Sequence, residues 1–144
     1  MITFRRRFVG PVLAALSVEC SPPTSPADAL TLNVVAAARD ASGIVRFGLE
    51  LTNSGDRPLF VPRCGATPSA RLQLHGATNW QEFGGGTCLA NLDQSPFQVD
   101  ARMTVRTTVT VCCGAPGEYR AVTSVAVDPS RGGELVQSSA VYLP

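Results

Sequence analysis

The chain has 144 residues, of which 16% are charged and 44% are hydrophobic. That length suits one domain and leaves no room for a second independent core. All 12 basic residues are Arg, and the formal charge of +1 argues against a general nucleic-acid binder, which carries a basic excess. The composition also excludes a coiled coil, a collagen-like repeat and an acidic disordered tail.

The N-terminus has the pattern of a secretory signal. Arg residues occupy positions 5–7, and residues 8–18 form an uncharged, mostly apolar run. A basic segment followed by a short apolar segment is typical of such signals, and a membrane-spanning helix needs about 20 apolar residues. We therefore expect residues 1–19 to be a signal segment. The rest of the chain is then extracytoplasmic, in the periplasm or at the cell surface.

The position of signal cleavage stays open. Cys20 stands where a bacterial lipoprotein signal would end, and the Pro- and Ser-rich stretch after it resembles the tether of a lipidated cysteine. Glu19, however, replaces the small residue that precedes the cysteine of a lipobox. Cleavage after Ser17 or after Ala29 competes with lipidation of Cys20. The predicted organisation is a tether over residues 20–29 and one domain over residues 30–144, with membrane attachment only through a lipid on Cys20.

Beyond residue 29 the sequence alternates between strands and turns. Apolar and polar residues alternate over residues 45–52, 103–113 and 119–127, the last with Tyr119 and Val127 at the two ends of one face. This period of two predicts half-buried strands, and the Gly-, Pro-, Asn- and Asp-rich stretches between them predict turns. In chain order the predicted strands are residues 30–38, 45–52, 59–61, 71–74, 97–99, 103–113, 119–127 and 135–143. No helical stripe accompanies them, so the sequence predicts an all-β antiparallel sandwich of seven or eight strands.

The turn before the penultimate strand refines this prediction. Tyr119 follows the Pro116-Gly117 turn, which is where immunoglobulin-like sandwiches place a structural tyrosine whose hydroxyl bonds nearby backbone. Together with residues 51–59 (LTNSGDRPL) and Trp80, this turn resembles the bacterial immunoglobulin-like domains typified by the intracellular proteinase inhibitor type. The resemblance spans residues 44–127. It implies an Ig-like β-sandwich, and it implies protease inhibition through the loops at one end of the sandwich as one function to consider.

The cysteines predict a disulfide. If Cys20 is lipidated or removed, Cys64, Cys88, Cys112 and Cys113 remain, and an even number of cysteines in an exported domain indicates pairing. Neighbouring strand residues face opposite sides, so Cys112 and Cys113 cannot both point into the core. We favour Cys64–Cys88, which leaves Cys112 and Cys113 as a vicinal disulfide or as two thiols. The competing arrangement pairs Cys64 or Cys88 with one of the other two.

Chemical motifs favour binding over catalysis. The chain has no recognisable nucleophile, phosphate-binding or metalloprotease motif, and its single histidine, His75, is expected to be solvated in a loop. The cysteine spacings do not have the form of a zinc site. We therefore predict no enzymatic activity, no metal and no cofactor.

Two sets of side chains are candidates for binding. Trp80 and Phe83 precede a run of glycines that could present a recognition loop, but we favour the alternative that Trp80 packs in the sandwich core. Arg46, Arg106 and Arg120 fall on outward strand positions, where a solvated face is favoured over a basic stripe.

The predicted function is that of a non-catalytic, monomeric, exported domain. Its role would be binding or accessory, at the cell envelope, towards a protein or another envelope ligand and not towards nucleic acid. The alternative function is protease inhibition through sandwich-end loops. A third is a redox or metal-binding role for Cys112 and Cys113.

Overall fold

The structure is a computed structural model that describes residues 25–85, 88 and 92–144. The signal segment, Cys20 and the first part of the tether lie outside the described residues. The described part contains one short helix, α1 (Pro26–Ala29), followed by strands β1 (Leu30–Arg39), β2 (Val45–Asn53), β3 (Leu59–Val61), β4 (Arg63–Cys64), β5 (Thr67–Pro68), β6 (Arg71–His75), β7 (Trp80–Gly85), β8 (Phe97–Val99), β9 (Thr104–Val111), β10 (Gly117–Val125), β11 (Glu134–Gln137) and β12 (Val141–Leu143). Among these residues, no helix is long and apolar enough to cross a membrane.

The strands form two main antiparallel sheets. One sheet has the order β1-β2-β9, and the other has the order β11-β10-β6-β7 with β12 also paired to β10. Strands β12 and β11 lie along successive halves of the same edge of β10, opposite the edge that β6 occupies. Two smaller pairs, β3-β8 and β4-β5, complete the fold. A sheet centred on β10, facing a sheet built from β1, β2 and β9, is the arrangement of an Ig-like sandwich. The predicted fold class is confirmed.

The core lies between the two sheets. Every second residue of β2 is buried (Val45, Phe47, Leu49 and Leu51), and the residues between them are partly or fully exposed. From the other sheet, β10 contributes Tyr119, Ala121 and Val125, all 0% exposed. The rings of Phe47 and Tyr119 meet across the core with centroids 5.8 Å apart. Burial of these apolar faces is the main free-energy gain that holds the sheets together.

Three predicted strands have different ends in the structure. The strand predicted over residues 103–113 ends at Val111, so Cys112 and Cys113 lie in a bend. The strand predicted over residues 119–127 ends at Val125, and Val127 is 47% exposed instead of belonging to the inner face. The last predicted strand is divided into β11 and β12 at Ser138, whose hydroxyl accepts a hydrogen bond from the backbone of Ala121. Just beyond each end the backbone bonds another segment: Gly114 donates to Gly43, Ala126 exchanges two hydrogen bonds with Phe60, and Ser138 donates to Ala121.

The folded part of the chain begins before residue 30. The Ser25 hydroxyl accepts a hydrogen bond from the backbone N–H of Ala27 and caps α1, and Pro26 occupies its first position. Ala29 is buried in the core. Residues 25–29, which the predicted organisation assigns to the tether, therefore pack on the sandwich.

Tyr119 joins the core to the loop that precedes β10. Its hydroxyl donates a hydrogen bond to the carbonyl oxygen of Ala115, the geometry of a tyrosine corner. Burial raises the pKa of the phenol, and the positive charge of Arg39 opposes that shift. The phenol therefore stays protonated and keeps its role as a donor.

A disulfide fastens the middle of the chain. Cys64 at the end of β4 is bonded to Cys88, with Cα atoms 5.4 Å apart and a sequence separation of 24. This confirms the favoured pairing and excludes the arrangement that joins Cys64 or Cys88 to Cys112 or Cys113. Nearby, Arg63 forms an ion pair of 2.6 Å with Asp93. Hydrogen bonds from Ser95, together with Arg63, lower the pKa of Asp93 to about 2.

Removing the tyrosine hydroxyl tests the corner. We expect Tyr119→Phe to lower the free energy of unfolding by about 0.5–1.5 kcal/mol, because one hydrogen bond is lost while the ring still fills the core. Urea denaturation measures the difference. Tyr142→Phe, at a tyrosine that is 65% exposed, is the matched control and should leave stability unchanged. Equal stability of the two variants would contradict a structural role for the hydroxyl.

Removing the disulfide tests its contribution. We expect the double variant Cys64→Ser/Cys88→Ser to lose about 3 kcal/mol of unfolding free energy, because the unfolded chain regains the entropy of the open loop. The control is Cys112→Ser/Cys113→Ser, which removes two exposed thiols and should cost less than about 0.5 kcal/mol. If both double variants lost the same amount, the disulfide would have no special stabilising effect.

Candidate binding face

The outer face of the larger sheet carries a row of side chains from four adjacent strands. Tyr142 of β12 is opposite Glu118 of β10, and His75 of β6 is opposite Trp80 of β7. The register between β10 and β6 pairs Tyr119 with Leu74, which brings the next pair, Glu118 and His75, together. The row therefore runs Tyr142, Glu118, His75, Trp80.

Strand alternation explains why these side chains point outward. Tyr119 and Leu143 are buried, and Leu74 packs against the core. Because successive residues of a strand face opposite sides, their neighbours must leave the core. Four strands about 4.8 Å apart make the row about 14 Å long.

A second set of contacts surrounds the Trp80 end of the row. The guanidinium of Arg120 lies 4.3 Å from the centroid of the Trp80 ring, and the His75 ring lies 4.9 Å from it. Arg120 Nε also donates a hydrogen bond of 2.8 Å to Oε1 of Gln73. His75 Nδ1 is 3.5 Å from a carboxylate oxygen of Glu118. We call this surface the aromatic face and define it as Gln73, His75, Trp80, Glu118, Arg120 and Tyr142.

The aromatic face is accessible to a partner. Tyr142 is 65% exposed, and the side chains of Glu118 and His75 are 52% and 41% exposed. Trp80 and Arg120 are half-buried against each other. Trp, Tyr and Arg are the residues that contribute most to protein interfaces, because they combine large contact area with directed polar groups. The arrangement suits stacking, cation–π contact and hydrogen bonding.

The structure separates the two aromatic residues that the sequence singled out. Phe83 packs against the core, with its ring 5.3 Å from that of Tyr119 in an edge contact. Trp80 lies on the outer face, so the expectation that it packs in the sandwich core is wrong. The reason is register: Trp80 pairs with His75, which follows the inward residue Leu74 and therefore faces outward. Trp80 is also part of β7 and not of a protruding loop at the end of the sandwich.

Sequence reasoning missed other members of the face. His75 was expected to be a solvated loop residue, but it is the last residue of β6. Tyr142 was not singled out, although it lies between Val141, which packs against the core, and buried Leu143 in β12. The alternation of apolar Val141, aromatic Tyr142 and apolar Leu143 was the sequence signal that could have predicted an outward-facing Tyr142.

The three outward arginines do not form a stripe. Arg46 pairs with Asp40 at 3.3 Å and Arg106 pairs with Glu50 at 2.9 Å, both on the smaller sheet. Arg120 belongs to the larger sheet. Glu50 thus offsets the charge of Arg106, whereas Glu118 contacts His75.

Cys112 and Cys113 are two free, exposed thiols. They lie in the bend after β9, outside the aromatic face. A hydrogen bond with Cys113 raises the pKa of the Cys112 thiol, and the negative charge of Asp40 raises it further. Within the described part of the chain, no group of three or more His, Cys, Asp or Glu side chains could hold a metal ion.

Comparison with known proteins adds little to this geometry. No protein-family model and no curated protein sequence matches the chain. Among solved structures, a Northeast Structural Genomics Consortium target is similar with a TM-score of 0.47 and 9% identity, over 79% of this chain and 81% of that one. A β-glucosidase involved in saponin metabolism from intestinal bacteria has a TM-score of 0.39 and 12% identity over 79% of this chain, which spans only 16% of the glucosidase. The ASH / PapD-like domain of human CEP192 has a TM-score of 0.39 and 12% identity, over 90% of this chain and 94% of that one. All three scores are low, so the fold assignment rests on strand order and core contacts.

Fluorescence tests the position of Trp80. Trp80 is the single tryptophan of the chain, so all tryptophan emission comes from the aromatic face. We expect acrylamide to quench the native emission, and to quench it more strongly in Arg120→Ala, because the guanidinium covers one side of the ring. Arg106→Ala, on the other sheet, is the control and should not change the quenching. Native emission that resists acrylamide would place Trp80 in the core.

Proposed function

We propose that this chain is a non-catalytic binding domain that recognises a protein at the cell envelope through the aromatic face. The observation that carries the proposal is the outward-facing row of Tyr142, Glu118, His75 and Trp80 across four hydrogen-bonded strands. The core on the other side of the sheet is already packed with its own aromatic residues, Phe47, Phe83 and Tyr119. Packing of the core therefore does not require the outward-facing row. A sheet face about 14 Å across suits a macromolecule, whereas a small molecule needs a concave pocket.

The contacts within the aromatic face favour tight binding. The Trp80 ring contacts both Arg120 and His75, and Arg120 donates a hydrogen bond to Gln73. Side chains that are already ordered lose less conformational entropy when a partner binds. Glu118 and Arg120 also give the face one negative and one positive group, so a partner with complementary charges gains specificity more than affinity.

An extracytoplasmic location is part of the proposal. The Cys64–Cys88 disulfide supports it, because such bonds persist in oxidising compartments. The signal pattern of residues 1–19 points the same way.

Affinity measurements on variants of the face test the proposed function. The exported chain is immobilised, partners are captured from envelope extract, and the dissociation constant of each captured protein is then measured. We expect Trp80→Ala to weaken binding at least about 30-fold, because loss of a large aromatic ring at an interface costs about 2 kcal/mol. Tyr142→Ala should weaken it less, because the smaller Tyr142 ring lies at the opposite end of the row from the contact between Arg120 and Trp80.

Matched controls lie on the opposite sheet. Val35→Ala and Arg106→Ala remove exposed side chains, 53% exposed in the case of Val35, without touching the aromatic face. Both should bind as the unaltered chain does. The proposal would be overturned if a partner bound Trp80→Ala as tightly as the unaltered chain while Val35→Ala raised its dissociation constant. That result would place the binding site on the other sheet.

A further inference from the structure

The pair of cysteines after β9 is chemically distinct from the pair that forms the disulfide. Cys64 and Cys88 are bonded, whereas Cys112 and Cys113 are free and exposed. In the oxidising compartment that is part of the proposed function, exposed thiols normally become oxidised. A structural difference between the two pairs must therefore account for the bond between Cys64 and Cys88 and for the free thiols of Cys112 and Cys113.

Backbone geometry supplies the difference. Consecutive Cα atoms are about 3.8 Å apart across a trans peptide bond, which is shorter than the roughly 4.4–6.8 Å that a disulfide normally spans. The Cα atoms of Cys64 and Cys88, at 5.4 Å, lie within that range. A bond between Cys112 and Cys113 would thus be strained, and strained, exposed disulfides are the ones that are easily reduced.

The loop has little freedom to relieve that strain. The backbone N–H of Gly114 donates to the carbonyl of Gly43 at 2.8 Å, and the Gly114 carbonyl accepts a hydrogen bond of 2.7 Å from Arg39 Nε. One residue later, Ala115 accepts the hydroxyl of Tyr119. Cys113 itself has a φ of 67°, in the left-handed region that non-glycine residues rarely occupy. The bend is therefore held in place while both thiols stay accessible.

We propose that Cys112 and Cys113 form a reversible thiol–disulfide exchange site whose substrate is a low-molecular-weight disulfide. One cysteine thiolate attacks a sulfur of the substrate, RSSR, to form a mixed disulfide and release RS⁻, which takes up the proton that the cysteine lost. The second cysteine then attacks the protein sulfur of the mixed disulfide, closes the Cys112–Cys113 bond and releases a second RSH. The two cysteine sulfurs are oxidised and the substrate disulfide is reduced to two thiols, so electrons and protons balance. Excess thiol drives the same steps in reverse.

Equilibration with glutathione tests this assignment. The exported chain is incubated in mixtures of reduced and oxidised glutathione, free thiols are blocked by alkylation, and intact mass and peptide mapping locate the disulfides. We expect the Cys112–Cys113 bond to form only in the more oxidising mixtures and to open again in reducing ones. Cys64–Cys88 should stay closed throughout.

Single variants test whether the two cysteines act together. Cys112→Ser and Cys113→Ser each lack the resolving thiol, so each should accumulate a stable adduct with one glutathione. In the unaltered chain the neighbouring thiol removes that adduct, and its level should be at least about tenfold lower. Cys112→Ser/Cys113→Ser should form no adduct, and its far-ultraviolet circular dichroism should match that of the unaltered chain.

Three results would overturn the proposal. The unaltered chain could accumulate the glutathione adduct as strongly as the single variants, which would show that the second thiol does not resolve it. Oxidation could produce only covalent dimers, which would make the cysteines an intermolecular link. The two thiols could also fail to react in any mixture. None of these results bears on ligand binding by the aromatic face, so the two proposals fail independently.

Discussion

The contact between the inner faces of β2 and β10 is the constraint on which the rest of the structure depends. Phe47 and Tyr119 meet there at the centre of the core, and both are fully buried. Because each strand alternates its side chains, burying one set of residues determines the direction of every other residue in the same strand. The hydrogen-bonded register between strands then determines which residues of the neighbouring strands face the core and which face outward. The orientation of the whole larger sheet follows from which face of β10 packs on β2.

The aromatic face is a consequence of this packing. Once Tyr119 points inward, Glu118 and Arg120 must point outward, and pairing with β6 and β7 brings His75, Gln73 and Trp80 beside them. The side chains of the face come from four strands that are joined by backbone hydrogen bonds, so the scaffold holds them in fixed relative positions. The proposed binding of a partner to this face would require no loop to become ordered, which lowers the entropic cost of association.

Tyr119 also connects the core to the bend that carries the free thiols of Cys112 and Cys113. Its hydroxyl holds the loop at Ala115, next to the bend with the two free thiols. Gly114 lies between them because the backbone passes so close to Val45 that a Cβ at this position would stand 2.1 Å from Val45 Cγ2. A larger residue here would force the loop and β2 apart. The tight fit between loop and core therefore holds the bend that carries Cys112 and Cys113 in place at the surface.

The sequence by itself determined the features that depend on local pattern. Alternation predicted β2 closely and located β3 and β8. The even number of cysteines, together with the expected signal segment, predicted a disulfide, for which Cys64–Cys88 was the favoured pairing among the alternatives. Tertiary structure alone decided the features that depend on register between distant segments. Trp80 carries no local sign of facing outward, and β7 escaped prediction because its sequence, WQEFGG, does not alternate. The ends of β9 and β10 likewise depend on hydrogen bonds to segments far away in the chain. Alternation tells which residues share a face, but pairing between strands tells which faces meet, and that information is present only in the assembled sheet.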